Sequence, residues 1–102
     1  MNSLVIVTGS KGLLGTEITE SLKQKHLVSE KDKVLGDDFT KEEDVKRIFS
    51  KIQADYLINC FAMNDHIDSN KDKDNLFDIS LDSFKQYLDV NVTALFSVCR
   101  EF

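Results

Sequence analysis

The stretch Val7-Thr8-Gly9-Ser10-Lys11-Gly12-Leu13-Leu14-Gly15-Thr16 holds three of the chain's four glycines. Glycine permits a tight turn and lets backbone approach a ligand with no Cβ in the way. Where such a turn opens a helix, the unpaired amides and the helix dipole favour an anion. A pyrophosphate is the natural guest, held by Thr8, Gly9, Ser10, Lys11, Gly12, Leu13, Leu14 and Gly15. The spacing is GxxGxxG, not GxGxxG, and no Gly-Lys-Ser/Thr follows at the distance a nucleoside-triphosphate loop requires. A strand-to-helix turn with glycines for packing alone is the competing reading, and spacing does not decide between them.

A dinucleotide needs a second group, an acid roughly 20 residues on that accepts the ribose hydroxyls and repels a 2′-phosphate. Glu30 lies 21 residues beyond Gly9, with Asp32 close behind. The run Glu30-Lys31-Asp32-Lys33 reads equally as a solvated turn of mixed charge. Lys11 pulls the other way, since a cation in the glycine loop can meet the 2′-phosphate of NADP. The choice between NAD and NADP stays open. No metal site is expected: His26 and His66 are far apart, and Cys60 and Cys99 lack metal-ligand spacing and sit in apolar surroundings.

The elements that would carry these residues alternate. Leu4 to Thr8 is continuous, apolar and β-branched, the pattern of a strand buried on both faces of a parallel sheet. Leu14, Ile18 and Leu22 then recur at helical spacing. Leu27-Val28-Ser29 reads as a brief second strand and Val34-Leu35 as a possible third. Thr40-Lys41-Glu42-Glu43 fits a capping box, followed by Val45, Ile48, Phe49 and Ile52 on one helical face. Asp55 to Ala62 is a further strand, and Asn64 to Asp78 a polar loop. Ser80 is the expected N-cap of a long last helix whose buried side is Phe84, Leu88, Val92, Leu95, Phe96 and Cys99.

With 102 residues, 41% hydrophobic and 30% charged, the chain reads as one modest globular domain. The net charge of −5, with no basic stripe, argues against a nucleic-acid partner. No apolar stretch approaches the ~20 residues of a membrane helix, and LVIVTG is too short for a signal core. A reducing cytoplasm is the expected compartment.

Taken together, Thr8-Gly9-x-x-Gly12-x-x-Gly15 and three later motifs resemble the N-terminal, coenzyme-binding half of the short-chain dehydrogenase/reductase superfamily. The TGxxGxxG form is similar to that of its extended, nucleotide-sugar branch. Asp38-Phe39-Thr40 resembles a stretch whose acid and neighbouring backbone lie near the adenine. Asn59-Cys60-Phe61-Ala62 stands where the family has a strand end beside the coenzyme. Leu88 to Phe96 resembles the DVNxxGxF helix, whose asparagine, here Asn91, supports a catalytic lysine through a water.

The resemblance implies an α/β fold: a partial Rossmann-like three-layer domain over residues 1–102, with a parallel sheet of three to four strands and helices on both faces. It implies NAD or NADP as coenzyme. It also implies a homo-oligomer, a dimer built through the helix of residues 80–102 or the open sheet edge. The family's catalytic serine and Tyr-x-x-x-Lys pair have no counterpart here: four residues after Tyr56 stands Cys60, and after Tyr87, Asn91. The expectation is therefore a truncated coenzyme-binding domain, inactive by itself, or a non-catalytic oligomerisation or regulatory module derived from that fold.

Overall fold

In the computed structural model, which describes residues 3–63 and 80–102, β1 (Leu4–Thr8) is the centre of a three-stranded parallel sheet. β2 (Leu27–Lys31) pairs on one side, with Val5 opposite Val28. β3 (Tyr56–Asn59) pairs on the other, with Val5 opposite Tyr56. This explains the unbroken apolar run of β1: both faces are covered, and Val5, Ile6, Val7 and Thr8 are all buried. Helix α1 (Leu13–Leu22) connects β1 to β2, and α2 (Glu42–Lys51) connects β2 back across β1 to β3. The two crossovers run in opposite directions along the sheet. Because both follow the right-handed rule, they place α1 and α2 on opposite faces.

The core lies under α2. Phe39, Val45 and Ile48 pack with Ala94 and Val98, and Phe49, Leu57 and Phe61 close around them. Burying each larger apolar side chain contributes roughly 1.5–3 kcal/mol. An exposed ion pair from Arg100 to Glu42, 3.0 Å long, joins the helix carrying Val98 to the start of α2.

Several local expectations change. On α1 the buried positions are Gly15 and Thr19, while Leu14 is 64% exposed and Leu13 94%. Gly15 sits so close to the Gly9 carbonyl that the helix is rolled to put residues 15 and 19 against the sheet. Val34-Leu35 is not a strand but part of a 3₁₀ turn, Lys33–Leu35, held by the Asp32 carboxylate accepting from the Val34 amide. The described sheet therefore has three strands. Thr40 does not cap α2 either: Lys41 stands at the cap without a side-chain bond, and the Thr40 hydroxyl donates to Asp38 at 2.6 Å. Asp44, in the first turn, instead reaches back to accept from the Asp38 amide. The loop expected at Asn64 to Asp78 lies outside the described residues.

Ser80 does cap the last helix, accepting from the Ser83 amide at 3.1 Å. That helix is α3 (Leu81–Leu88), a π-helical turn (Asp89–Thr93) and α4 (Ala94–Glu101). Its buried side is not the expected row of large residues. Ala94 and Val98 face the core, while Phe84, Leu88, Val92, Leu95 and Phe96 are exposed. Close packing of α4 against α2 and Phe39 selects the small face, and the large residues stay between 38% and 63% exposed. No described helix is long and apolar enough to cross a membrane.

Candidate functional site

From β1 the chain passes to β2 at one edge of the sheet and then returns to β3 at the other. The order therefore reverses between β1 and β3, and in open α/β sheets ligands bind beyond the strand ends at such a point. A cleft of about 450 Å³ opens there. Gly9, Lys11 and Gly12 form one wall, Asp32 to Val34 and Asp37 to Thr40 another, and Cys60 to Met63 with Val90 and Ala94 the third.

The three glycines of the turn have separate reasons. Gly9 has φ +69°, and a Cβ there would enter the Cys60–Phe61 backbone; at Gly15 it would enter the Gly9 carbonyl. Both are glycine because the chain folds on itself there. Gly12 has an ordinary φ, and the nearest atom to an added Cβ is the Gly9 carbonyl oxygen at 3.4 Å. It faces the cleft at the start of α1, where no side chain caps the helix. The fold itself leaves this position open to a ligand.

The wall of the cleft carries a set of carboxylates already engaged. Asp32 is buried and accepts from the Lys11 amide at 3.0 Å and the Val34 amide at 2.9 Å, while its own amide donates to Asp37. Asp37 lies 3.6 Å from the Arg47 guanidinium. Hydrogen bonds from the Thr40 hydroxyl and amide hold the Asp38 carboxyl below its ordinary value. Glu30 is drawn away: its carboxylate is 2.9 Å from Lys23 Nζ and 3.2 Å from Lys11 Nζ. Those bonds, from Lys23 first and Lys11 second, lower its pKa. Glu30 does not line the cleft; Asp32 and Lys11 do.

Of the residues expected at the site, the structure gathers Gly9, Lys11, Gly12, Asp38, Phe39, Cys60, Phe61 and Ala62 around the cleft. The Phe39 and Phe61 rings pack at 4.6 Å between centroids. Burial pushes the Cys60 thiol above its ordinary pKa. The rest stand behind or beside it. The buried Thr8 hydroxyl donates to Asn59 Oδ1 at 2.7 Å, locking β1 to β3, and Asn59 Nδ2 approaches Cys99 Sγ at 3.6 Å. Ser10 is buried and its carbonyl accepts from the Thr16 hydroxyl. Leu13 and Leu14 are exposed on the first turn of α1, and Gly15 is packed against the turn.

Asn91 is engaged by the segment that leaves β3. In the π-helical turn its side-chain oxygen accepts from the Met63 amide at 2.8 Å, and its nitrogen donates to the Met63 carbonyl at 3.0 Å. It thus fixes the segment leaving β3. Val34, Met63, Val90 and Ala94 are lining residues that the sequence reading does not single out. Val34 reads as strand in the sequence, and Val90 and Ala94 read as helix. Only the position of Asp32 just past a strand end carries a signal in the sequence.

Residues 1–87 match the sequence profile of the RmlD substrate binding domain. No curated protein sequence matches the chain. Among solved structures, a small-chain dehydrogenase superposes with a TM-score of 0.84 at 17% identity, covering 99% of this chain and 52% of the other. The dTDP-4-dehydrorhamnose reductase of Bacillus anthracis, solved with NADP, gives 0.78 at 22% identity over 99% of this chain and 32% of its own. A short chain dehydrogenase of Leptospira borgpetersenii with bound NAD+ gives 0.79 at 21%, over 99% and 44%. The chain thus spans between 32% and 52% of the length of these three structures. Their fold is the Rossmann-like α/β fold of the short-chain dehydrogenases, and by its match over residues 1–87 the chain belongs to the RmlD substrate binding domain family.

Proposed function

We propose that this chain binds a nicotinamide dinucleotide, NAD or NADP, as the coenzyme-binding half of an oxidoreductase of the short-chain dehydrogenase/reductase type. The observation that carries this reading is Gly12. It opens a helix that no side chain caps, faces a cleft at the sheet's switch point, and is required by no contact within the fold. Phosphate binding explains a glycine there, because the pyrophosphate needs backbone amides at close range. The solved relatives that hold NADP and NAD+ support the same reading.

Gly9, Lys11 and Gly12, with the first amides of α1, would hold the pyrophosphate. Asp32, Asp38 and Phe39 would take the adenosine end, and Cys60 to Ala62 would border the nicotinamide side. The coenzyme supplies the hydride chemistry when bound. This chain's residues bind and orient it. Neither tyrosine has a lysine four residues on to move the substrate proton. The expectation is binding without turnover by residues 1–102.

Titration of the chain with NADH and NADPH, followed by coenzyme fluorescence, tests the proposal. Saturable binding of at least one is expected, abolished by Gly12→Val with the thermal melt retained. Failure of both to bind at millimolar concentration would remove it.

A specific observation favours a second reading, self-association. Phe84, Leu88, Val92 and Leu95 recur along one side of the last helix, with Phe96 beside them, and all are exposed. Large clustered apolar surface drives association. This reading makes the chain an oligomerisation module, most simply a homodimer, through that face or the outer edge of β3.

A further inference from the structure

Arg47 stands on α2 and does not line the cleft. One nitrogen of its guanidinium lies 3.6 Å from Asp37 Oδ1 and 3.6 Å from Asp44 Oδ1. Each of these acids uses its other oxygen to hold a backbone amide. Asp37 Oδ2, on a buried residue, accepts from the Asp32 amide at 3.2 Å. Asp44 Oδ2 accepts from the Asp38 amide at 3.0 Å. Asp32 and Asp38 both line the cleft. Two relays of the same kind, guanidinium to carboxylate to amide, therefore run from one side chain to two acids of the cleft wall. One of them goes further, because the Asp32 carboxylate accepts in turn from the Lys11 amide of the glycine turn.

Resting on the reading of the cleft as a dinucleotide site, we propose that Arg47 is a positioning residue for coenzyme binding. It sets Asp32 and Asp38 at the adenosine end from behind, through Asp37 and Asp44, and touches no ligand. Two carboxylates flank one nitrogen, so without the cation two like charges repel. Asp37 is 5% exposed, and a buried charge without a partner is costly. The relief open to both acids is to draw apart, and each carries its amide with it. The Arg47 side chain is 45% exposed, so each ion pair adds little to stability, and its consequence is the geometry of the wall. Lys46, its neighbour on α2, pairs with Glu42 at 3.2 Å and belongs to neither relay.

The test measures dissociation constants of the full 102-residue chain for NADH, NADPH and adenosine 5′-monophosphate, well below the melting transition. Arg47→Met should weaken each ligand that the unaltered chain binds by about tenfold. The Asp32 and Asp38 amide resonances should be displaced in the NMR spectrum of the free chain. Arg47→Lys keeps the charge and should recover part of the affinity and move both resonances back. Lys46→Met removes a cation from the same helix and should leave the affinity unchanged. Arg47→Met strands the Asp37 carboxylate, so Asp44→Ala is measured beside it and decides the matter if Arg47→Met does not fold. That change breaks one relay at a helix position where alanine is favourable, and should weaken binding about threefold. Unaltered affinity in folded Arg47→Met or Asp44→Ala overturns the proposal, as does an equal loss in Lys46→Met. Weakened binding with both amide resonances in place does the same, and so does an Arg47→Lys that recovers nothing. Any of these leaves the dinucleotide reading standing, whereas no binding by the unaltered chain removes both.

Discussion

A methyl group added at Gly9 would meet the Cys60–Phe61 backbone, and one at Gly15 would meet the Gly9 carbonyl, whereas at Gly12 there is room. The three substitutions to alanine should therefore separate. Gly9→Ala combines a left-handed φ with a backbone collision and should cost at least about 2–3 kcal/mol in urea denaturation. Gly15→Ala should cost a similar amount. Gly12→Ala should leave the urea midpoint close to that of the unaltered chain and act on coenzyme affinity. Equal destabilisation by all three would contradict the division of roles. Glu30 supplies a second test at this scale. Its pKa is below the ordinary 4.5 when folded, so its ion pairs stabilise the fold fully above that value. That stabilisation is lost as pH falls through the lower, folded pKa. The melting-temperature gap between the unaltered chain and Glu30→Gln should therefore be present near neutral pH and close in acid below 4.5. A gap that persists in acid would assign the effect to something other than these pairs.

The π-helical turn is the element that joins the last helix to the cleft. Its extra residue brings Asn91 into register with Met63, while Val90 and, one residue past the turn, Ala94 border the same cleft. One side-chain amide here satisfies both backbone groups of a residue that has left the sheet, extending the order of β3 by means of a helix. Asn91→Leu leaves both groups unpaired and should cost about 1–3 kcal/mol, with faster hydrogen exchange at the Met63 amide. Asn91→Asp keeps the acceptor and loses the donor, so it should fall between the two. Unchanged exchange at Met63 in Asn91→Leu would show that the segment is held by other contacts. Elements were unequally legible in the sequence. The start of β1 and the apolar face of α2 show in local pattern, because a buried strand and an amphipathic helix need particular residues in sequence order. The roll of α1 does not, because it follows from a contact between Gly15 and Gly9 across the turn.

At the scale of the whole molecule the chain presents a small core on one side of α4 and a row of large apolar residues on the other. Phe84 is 48% exposed and Phe96 63%, although both would serve as core residues in a closed fold. Multi-angle light scattering should show a mass that rises with concentration above that of a single 11.6 kDa chain. Leu88→Asp together with Phe96→Asp should return the mass to the monomer value without lowering stability, since neither side chain packs in the core. A monomer at every concentration would remove the association reading and leave the coenzyme reading untouched.

The sequence by itself determined the glycine turn after a buried strand, the alternation of strands and helices, and the resemblance carried by Asp38, the Asn59 to Ala62 strand end and Asn91. Each of these depends on neighbours within a few residues, where backbone sterics and hydrophobic period act directly. Only the tertiary structure decided which acid faces the cleft and which face of the last helix is buried. Glu30 and Asp32 are two residues apart and chemically alike. Lys11 and Lys23, on either side of α1, draw one to the rim, while the amides of Lys11 and Val34 hold the other in the wall. Likewise Ala94 and Val98 are buried because α4 comes close to α2, a distance set by packing between elements far apart in the chain.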